Sequence, residues 1–305
     1  MKRRYKSCLR VAVACLSCAG ILLSTTSCGT PVWKWLWERE TVMTADPDEL
    51  TVDQSPVDDM FANAVEYTGE AYEGTEILYE GIGKNRDCVI VIDAGHQQKA
   101  WNEKEPLGPY PDGTAEKDIA MKAKVSSGSE NSYTTEHALN LKVALLLRNK
   151  LIGDGYSVVM IRETANVNIS NRERAQIANK YNAAAYIRIH ANGYDDESVR
   201  GAETLCQTAS NQFPSCAAMY ADSRALSEYV LDSYCDVTGF PKRSVFETDE
   251  MTGINWSRVP STIIELGYMT NPEEAELMNE ADFAIKAAMG ITEGIKAYLA
   301  DKAGN

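Results

Sequence analysis

Three short runs of β-branched and aliphatic residues, CVIVIDAGH (88–96), AAYIRIH (184–190) and STIIE (261–265), each end on a polar side chain. Apolar runs of this length, bounded by polar and turn-forming residues, read as buried strands. Between them lie longer segments of helical period. One is TTEHALNLKVALLLRNKL, with Leu139, Val143, Leu146 and Leu147 on one stripe and Gly153 as its stop. Strand and helix alternate from Cys88 onward, and that order predicts a single-domain α/β fold: a mostly parallel mixed sheet with helices on both faces. In such sheets the residues just past the strands' carboxyl ends meet in one crevice, where ligands bind. His96, His190 and Glu265 occupy those positions, in a chain with only three histidines.

The N-terminus reads as an export signal. Lys2, Arg3, Arg4, Lys6 and Arg10 precede a thirteen-residue apolar core, Val11 to Leu23. That core is short for a bilayer span and suits a signal peptide over 1–28. Cys28 follows small residues, the pattern of a lipidation cysteine, with ordinary signal cleavage as the alternative. Trp33, Trp35 and Trp37 favour an anchored form, since indoles settle at the headgroup level. Residues 29–87 read as an acidic tether: positions 38–87 hold fourteen Asp or Glu against three Lys or Arg. The expectation is an extracytoplasmic protein held to a membrane by its N-terminal lipid. Residues 88–305 remain acidic, which argues against nucleic acid as a partner.

Within 88–305 the YSVVMIR run adds a strand, Ser170 to Glu173 forms a capping box for a helix to about Tyr181, and Gly201 to Thr208 reads as an edge strand. A helix is expected from about Ser215 to Asp236, and helices from Pro272 to the end, with Ala288, Ile291, Ile295 and Tyr298 on one face. Gln97 to Tyr133 is a polar insert rich in proline and glycine, too long for a turn. It reads either as a wall or lid of the crevice or as surface decoration. Cys88, Cys206, Cys216 and Cys235 show no CxxC spacing, so a thiolate metal site is not expected. A Cys206–Cys216 disulfide and free buried thiols both fit.

A hydrolytic zinc ion takes three protein ligands and leaves one position open for water. His96 and His190 offer two nitrogens. The third ligand is Glu136 or its neighbour His137; adjacent helical residues diverge by about a hundred degrees, so only one can face the metal. Glu265, at the end of an apolar strand, is a partly desolvated carboxyl suited to proton transfer. Asp93 is placed to accept the free N–H of a ligating imidazole. Arg188 shares a face with His190; it reads as a structural ion pair, with binding of a peptide carboxylate as the alternative. From the residues alone, a metal hydrolase and a set of ordinary satisfied polar groups both remain open.

These segments resemble the zinc-dependent N-acetylmuramoyl-L-alanine amidases of the amidase type 3 family. VIVIDAGHQ resembles the family's strand ending in D-x-G-H, and Glu136 stands where its glutamate ligand opens the first long helix. IRIHAN resembles the second-histidine motif and VPSTIIELGYMTNPEEAELM the catalytic-glutamate segment; NISNRERAQIAN resembles the arginine-rich helix start. The four motifs fall in the family's order over about 88–300. The resemblance implies zinc bound by His96, Glu136 and His190, with Glu265 as catalytic acid/base. It also implies cleavage of the amide between N-acetylmuramic acid and L-alanine in peptidoglycan. A zinc peptidase or deacetylase acting on another wall bond, and an inactive wall-binding scaffold, are the competing readings. The stretch from His96 to Glu136 is longer than the family's short form.

Overall fold

The computed structural model describes residues 76–304. The signal segment, Cys28, the three tryptophans and the tether up to residue 75 lie outside the described residues. The strands are β1 (Ile77–Tyr79), β2 (Val89–Ala94), β3 (Trp101–Pro106), β4 (Met121–Val125), β5 (Ser157–Met160), β6 (Ala185–Asn192), β7 (Ala202–Cys206), β8 (Lys242–Glu247) and β9 (Ser261–Tyr268). The helices are α1 (Glu136–Gly153), α2 (Asn171–Lys180), α3 (Pro214–Ala217), α4 (Tyr220–Thr238), α5 (Thr252–Asn255), α6 (Pro272–Asn279) and α7 (Phe283–Gly304).

Seven strands form one sheet in the order β1-β5-β2-β6-β9-β7-β8. β5, β2, β6 and β9 run parallel to one another, while β1 pairs antiparallel with β5 and β7 antiparallel with β9. The four central strands are buried on both faces, which is why their sequences read as continuous apolar runs. On one face α1, α4 and α7 cover Ile90, Ile92, Ile187, Ile189, Ile264 and Leu266, joined by Leu231, Ile291, Ile295 and Tyr298. On the other, α2 packs on Val91, Val159 and Tyr186, and the α3 and α5 region packs on Leu205 and Ile263. The expected two-faced α/β sheet is the observed one.

Three sequence expectations shift, and the state of the cysteines, left open, is settled. The folded unit starts before residue 88: β1 pairs with β5, and the Ile82 N–H donates to the Gly155 carbonyl at 3.1 Å. A three-residue strand among acidic residues carries no period to recognise; its partner β5 makes it a strand. Gly201–Thr208 does contain β7, but β7 lies inside the sheet because β8 pairs beyond it and takes the edge. The helix expected from Ser215 is interrupted, since the chain turns at Ala218–Met219 between α3 and α4. The Cys216 carbonyl there accepts from the Gln207 side chain at 2.9 Å and from the Met219 N–H at 3.0 Å. The four described cysteines are free thiols, with Cys206 and Cys216 buried.

The capping box of α2 is formed: Ser170 Oγ accepts from the Glu173 N–H, and the Glu173 carboxylate accepts from the Ser170 N–H. The polar insert folds as a β3–β4 hairpin pinned to the rest of the domain. The buried Glu105 carboxylate accepts the Arg172 N–H at 3.1 Å, in the first turn of α2. The Asn171 amide donates to the Lys124 carbonyl at 2.8 Å and the Trp256 indole to the Pro106 carbonyl at 3.0 Å. Both limbs of the hairpin are therefore tied to α2 and α5.

Candidate metal centre

β2 runs out at Ala94, and the chain then bends sharply. His96 adopts φ 58°, a left-handed conformation that few residues other than glycine accept. Two fully buried arginines hold this bend. Arg162, just past β5, donates to the Ala94 carbonyl at 2.8 Å and to the Gly95 and His137 carbonyls at 2.9 Å. Arg174, on α2, donates to the carbonyls of Ala94 at 3.0 Å and His96 at 3.1 Å. Unpaired carbonyls in a buried bend would each cost about 1–3 kcal/mol, so guanidinium forks with several donors are apt partners. Burial pushes Arg162 down to about 9, with the neighbouring Arg174 charge acting in the same direction.

The bend aims the His96 ring at two other side chains. Glu136 is the first residue of α1, where the helix's free N–H end favours a carboxylate. His190 sits near the carboxyl end of β6, directly beside Glu265 of β9 in the parallel register. His96 Nε2 lies 2.9 Å from Glu136 Oε1, and His190 Nδ1 lies 3.1 Å from both. His96, Glu136 and His190 thus meet as a set able to hold a metal ion, with ligand atoms within 4.8 Å of one another.

The hydrogen bonds around the set test whether a cation fits. His96 Nδ1 lies 3.0 Å from the Ser126 carbonyl, which can only accept, so Nδ1 carries a hydrogen in this network and Nε2 is the nitrogen that faces the set. Glu136 Oε2 accepts the Ser129 N–H at 2.8 Å, and the other oxygen, Oε1, faces the imidazoles while accepting the Ala191 N–H at 3.1 Å. Burial opposes ionisation of Glu136, but His190 and His96 hold its carboxyl well below the usual range. Burial also depresses His190, to about 4, so its ring is neutral near pH 7. Two imidazole nitrogens and one carboxylate oxygen, converging within about 3 Å, form the donor set that divalent zinc takes.

His137, the alternative third ligand, does not join. Its ring contacts Thr135 Oγ1 at 3.4 Å while its carbonyl takes the Arg162 guanidinium. Glu265 lies next to the set. It is half-buried, its buried Oε2 has no hydrogen-bond partner among the described residues, and desolvation, with Glu136 and Glu203 adding like charge, raises its pKa well above the ordinary value.

Asp93 departs from expectation. Its carboxylate does not serve an imidazole but bridges two arginines: Oδ1 takes Arg174 at 2.6 Å, and Oδ2 takes Arg188 at 2.9 Å and the Tyr186 hydroxyl at 3.2 Å. Alternation along β2 explains this, because Asp93 points into the buried layer under α2, where Arg188 of the adjacent strand also points. Arg188 also donates to Asn171 at 2.7 Å, so it is the structural ion pair and not an exposed carboxylate binder. The acceptor for His96 comes instead from the insert. Arg162, Arg174 and Glu203 escaped the sequence reading. An arginine ending a fully apolar strand, as in VVMIR, was the available signal for Arg162. Glu203 lies opposite Glu265 across the β7–β9 pair and accepts from Asn192 at 2.9 Å and Tyr268 at 3.1 Å.

The N-acetylmuramoyl-L-alanine amidase family, amidase type 3, matches residues 90–297. The chain is 28% identical over 172 residues to the N-acetylmuramoyl-L-alanine amidase LytC of Bacillus subtilis, covering 56% of this chain and 33% of LytC. It is 26% identical over 219 residues to the N-acetylmuramoyl-L-alanine amidase Rv3717 of Mycobacterium tuberculosis, covering 70% of this chain and 86% of that protein. Among solved structures, the amidase Ami1 of Mycobacterium smegmatis shares the fold with a TM-score of 0.60 at 23% identity, over 70% of this chain and 97% of Ami1. With its two-faced sheet and a His-Glu-His set gathered from two strand ends and the start of α1, the chain belongs to the N-acetylmuramoyl-L-alanine amidase family.

Proposed function

We propose that this chain hydrolyses the amide bond between N-acetylmuramic acid and L-alanine in peptidoglycan, using zinc held by His96, Glu136 and His190 with Glu265 as acid and base. The observation that carries the reading is the convergence of His96 Nε2, Glu136 Oε1 and His190 Nδ1 beside a buried carboxyl oxygen that lacks a partner. Zinc, when bound, would polarise the scissile carbonyl and acidify a water molecule. Glu265 is suited to the proton traffic. Its desolvated carboxyl holds a proton more tightly than an exposed glutamate, so it can take one from the attacking water and return it to the departing L-alanine amine. Glu203, held by Asn192, Tyr268 and Arg243, stands across from it in the β7–β9 pair. The chain's formal net charge of −14 argues against nucleic acid as the substrate.

Mass spectrometry of digested peptidoglycan tests the reading. Stem peptides with free L-alanine amino termini, released from an intact glycan, are expected, and a chelator should abolish them. Glu265→Ala should lower the rate about 10²–10⁴-fold while leaving one zinc per chain. Cleavage elsewhere in the stem peptide, or loss of acetyl groups, would move the chain to a peptidase or deacetylase. No product at all would mark a scaffold. The reading extends to location: export by the 1–28 segment and lipidation at Cys28 would hold the enzyme at the membrane facing the wall.

A further inference from the structure

The insert between His96 and Glu136 does more than pack beside the crevice. Its returning limb, Ser126 to Ser129, contacts two of the three candidate ligands. The Ser126 carbonyl faces His96 Nδ1 at 3.0 Å. Ser129 and Glu136 clasp each other twice: the Ser129 N–H donates to Glu136 Oε2 at 2.8 Å, and the Glu136 N–H donates to the Ser129 carbonyl at 2.9 Å. Between these two contacts stands Gly128, at φ 80°. A β-carbon there would lie 2.8 Å from Glu136 Oε2 and 3.0 Å from the His96 ring. The limb is therefore moulded against the ligands, at a position only glycine fills without displacing them.

We propose that Ser126–Ser129 is a positioning element for the metal. It holds the His96 tautomer with Nε2 free to ligate, and it occupies Glu136 Oε2 so that Oε1 alone is offered. The proposal rests on the zinc reading above and adds the insert to it as a determinant of metal retention. The physical basis is general: partners of the ligands orient them, and their loss weakens metal binding about 10–100-fold. What makes the limb stiff enough for this role is the anchoring of its hairpin, through Glu105 to α2, Asn171 to Lys124 and Trp256 to Pro106. A loop free to drift could not hold a ligand within the few tenths of an ångström that coordination requires.

The test compares two glycines of the same insert. Gly113 has φ 84°, close to that of Gly128, but a β-carbon on it would meet nothing within 4 Å. Gly113→Ala and Gly128→Ala thus impose the same left-handed strain, and only the second presses on the ligands. Zinc affinity of the full chain, read by competition with a chromogenic chelator, should fall about 10–100-fold in Gly128→Ala. It should stay at the wild-type value in Gly113→Ala. Equal affinity in all three proteins, or an equal loss in both variants, would overturn the proposal. Should Gly128→Ala fail to fold, amide hydrogen exchange on the wild-type chain decides. The Ser129 and Glu136 amides should exchange more slowly with zinc than with chelator, and unchanged rates would overturn the role. A wild-type chain that binds no zinc would defeat the zinc reading itself, whereas a zinc-binding wild type with an unaffected Gly128→Ala defeats only this inference.

Discussion

Asp93 shows how much one buried carboxylate does in this domain. It is fully buried and joins Arg174 of α2 to Arg188 of β6, while Arg174 in turn grips the bend that carries His96. Burial alone would raise its pKa, but Arg174 and Arg188 overcome that and hold it well below the usual 3.8. The unfolded chain therefore takes up this proton at a higher pH than the folded one. The stability contributed by Asp93 is full above the unfolded value and is lost as pH falls through the folded value. Asp93→Asn should flatten that acid limb. At neutral pH it should cost about 3–5 kcal/mol, because two guanidiniums lose the charge they were buried against. Urea unfolding at pH 7 and pH 3 reads both effects; a neutral-pH midpoint equal to wild type would show that the cluster carries no such load. The strand-end position of Asp93 was legible in VIVIDAGH. Its partners were not, because one arginine comes from a helix about eighty residues later and the other from a neighbouring strand.

At the scale of elements, the long strands and helices follow from period and composition, and the short ones do not. β2, β6 and β9 are mostly apolar runs, buried along most of their length. α1 opens at Glu136, and of its expected stripe Leu139, Val143 and Leu147 are buried while Leu146 is half-buried. β1, three residues long, and β8, largely exposed, are edge strands recognisable only from the strand each pairs with. α4 packs closely on α7, an approach that two glycines permit. A β-carbon on Gly294 would stand 2.5 Å from the Val230 Cα and 2.6 Å from the Tyr229 carbonyl oxygen, and one on Gly290 2.7 Å from the Tyr234 Cα. Gly294→Ala gains about 1 kcal/mol of helix propensity. The atoms it meets are backbone and cannot rotate aside, and overpacking of that kind costs about 1–3 kcal/mol. The net expectation is a lower melting temperature. A raised one would mean that the two helices separate freely at this crossing.

For the whole molecule, the proposed enzyme is a catalytic domain on an N-terminal acidic extension. Lipidation at Cys28 would keep it at the membrane surface, where its substrate lies. Cys28→Ala should move the protein from the membrane fraction to the soluble extracytoplasmic fraction after export, followed by fractionation and immunodetection. Continued membrane association would point to an uncleaved signal or another anchor.

The sequence by itself determined the alternation of strand and helix, the two-faced sheet and the strand-end sites of His96, His190 and Glu265, because each depends on residues close together in the chain. Tertiary structure decided which group answers each of them. Asp93 went to the arginines, and the acceptor for His96 came from a loop thirty residues away. Glu203 arrived opposite Glu265 by an antiparallel pairing. Those choices depend on which strands become neighbours and on how a long insert folds back, and local pattern does not encode either.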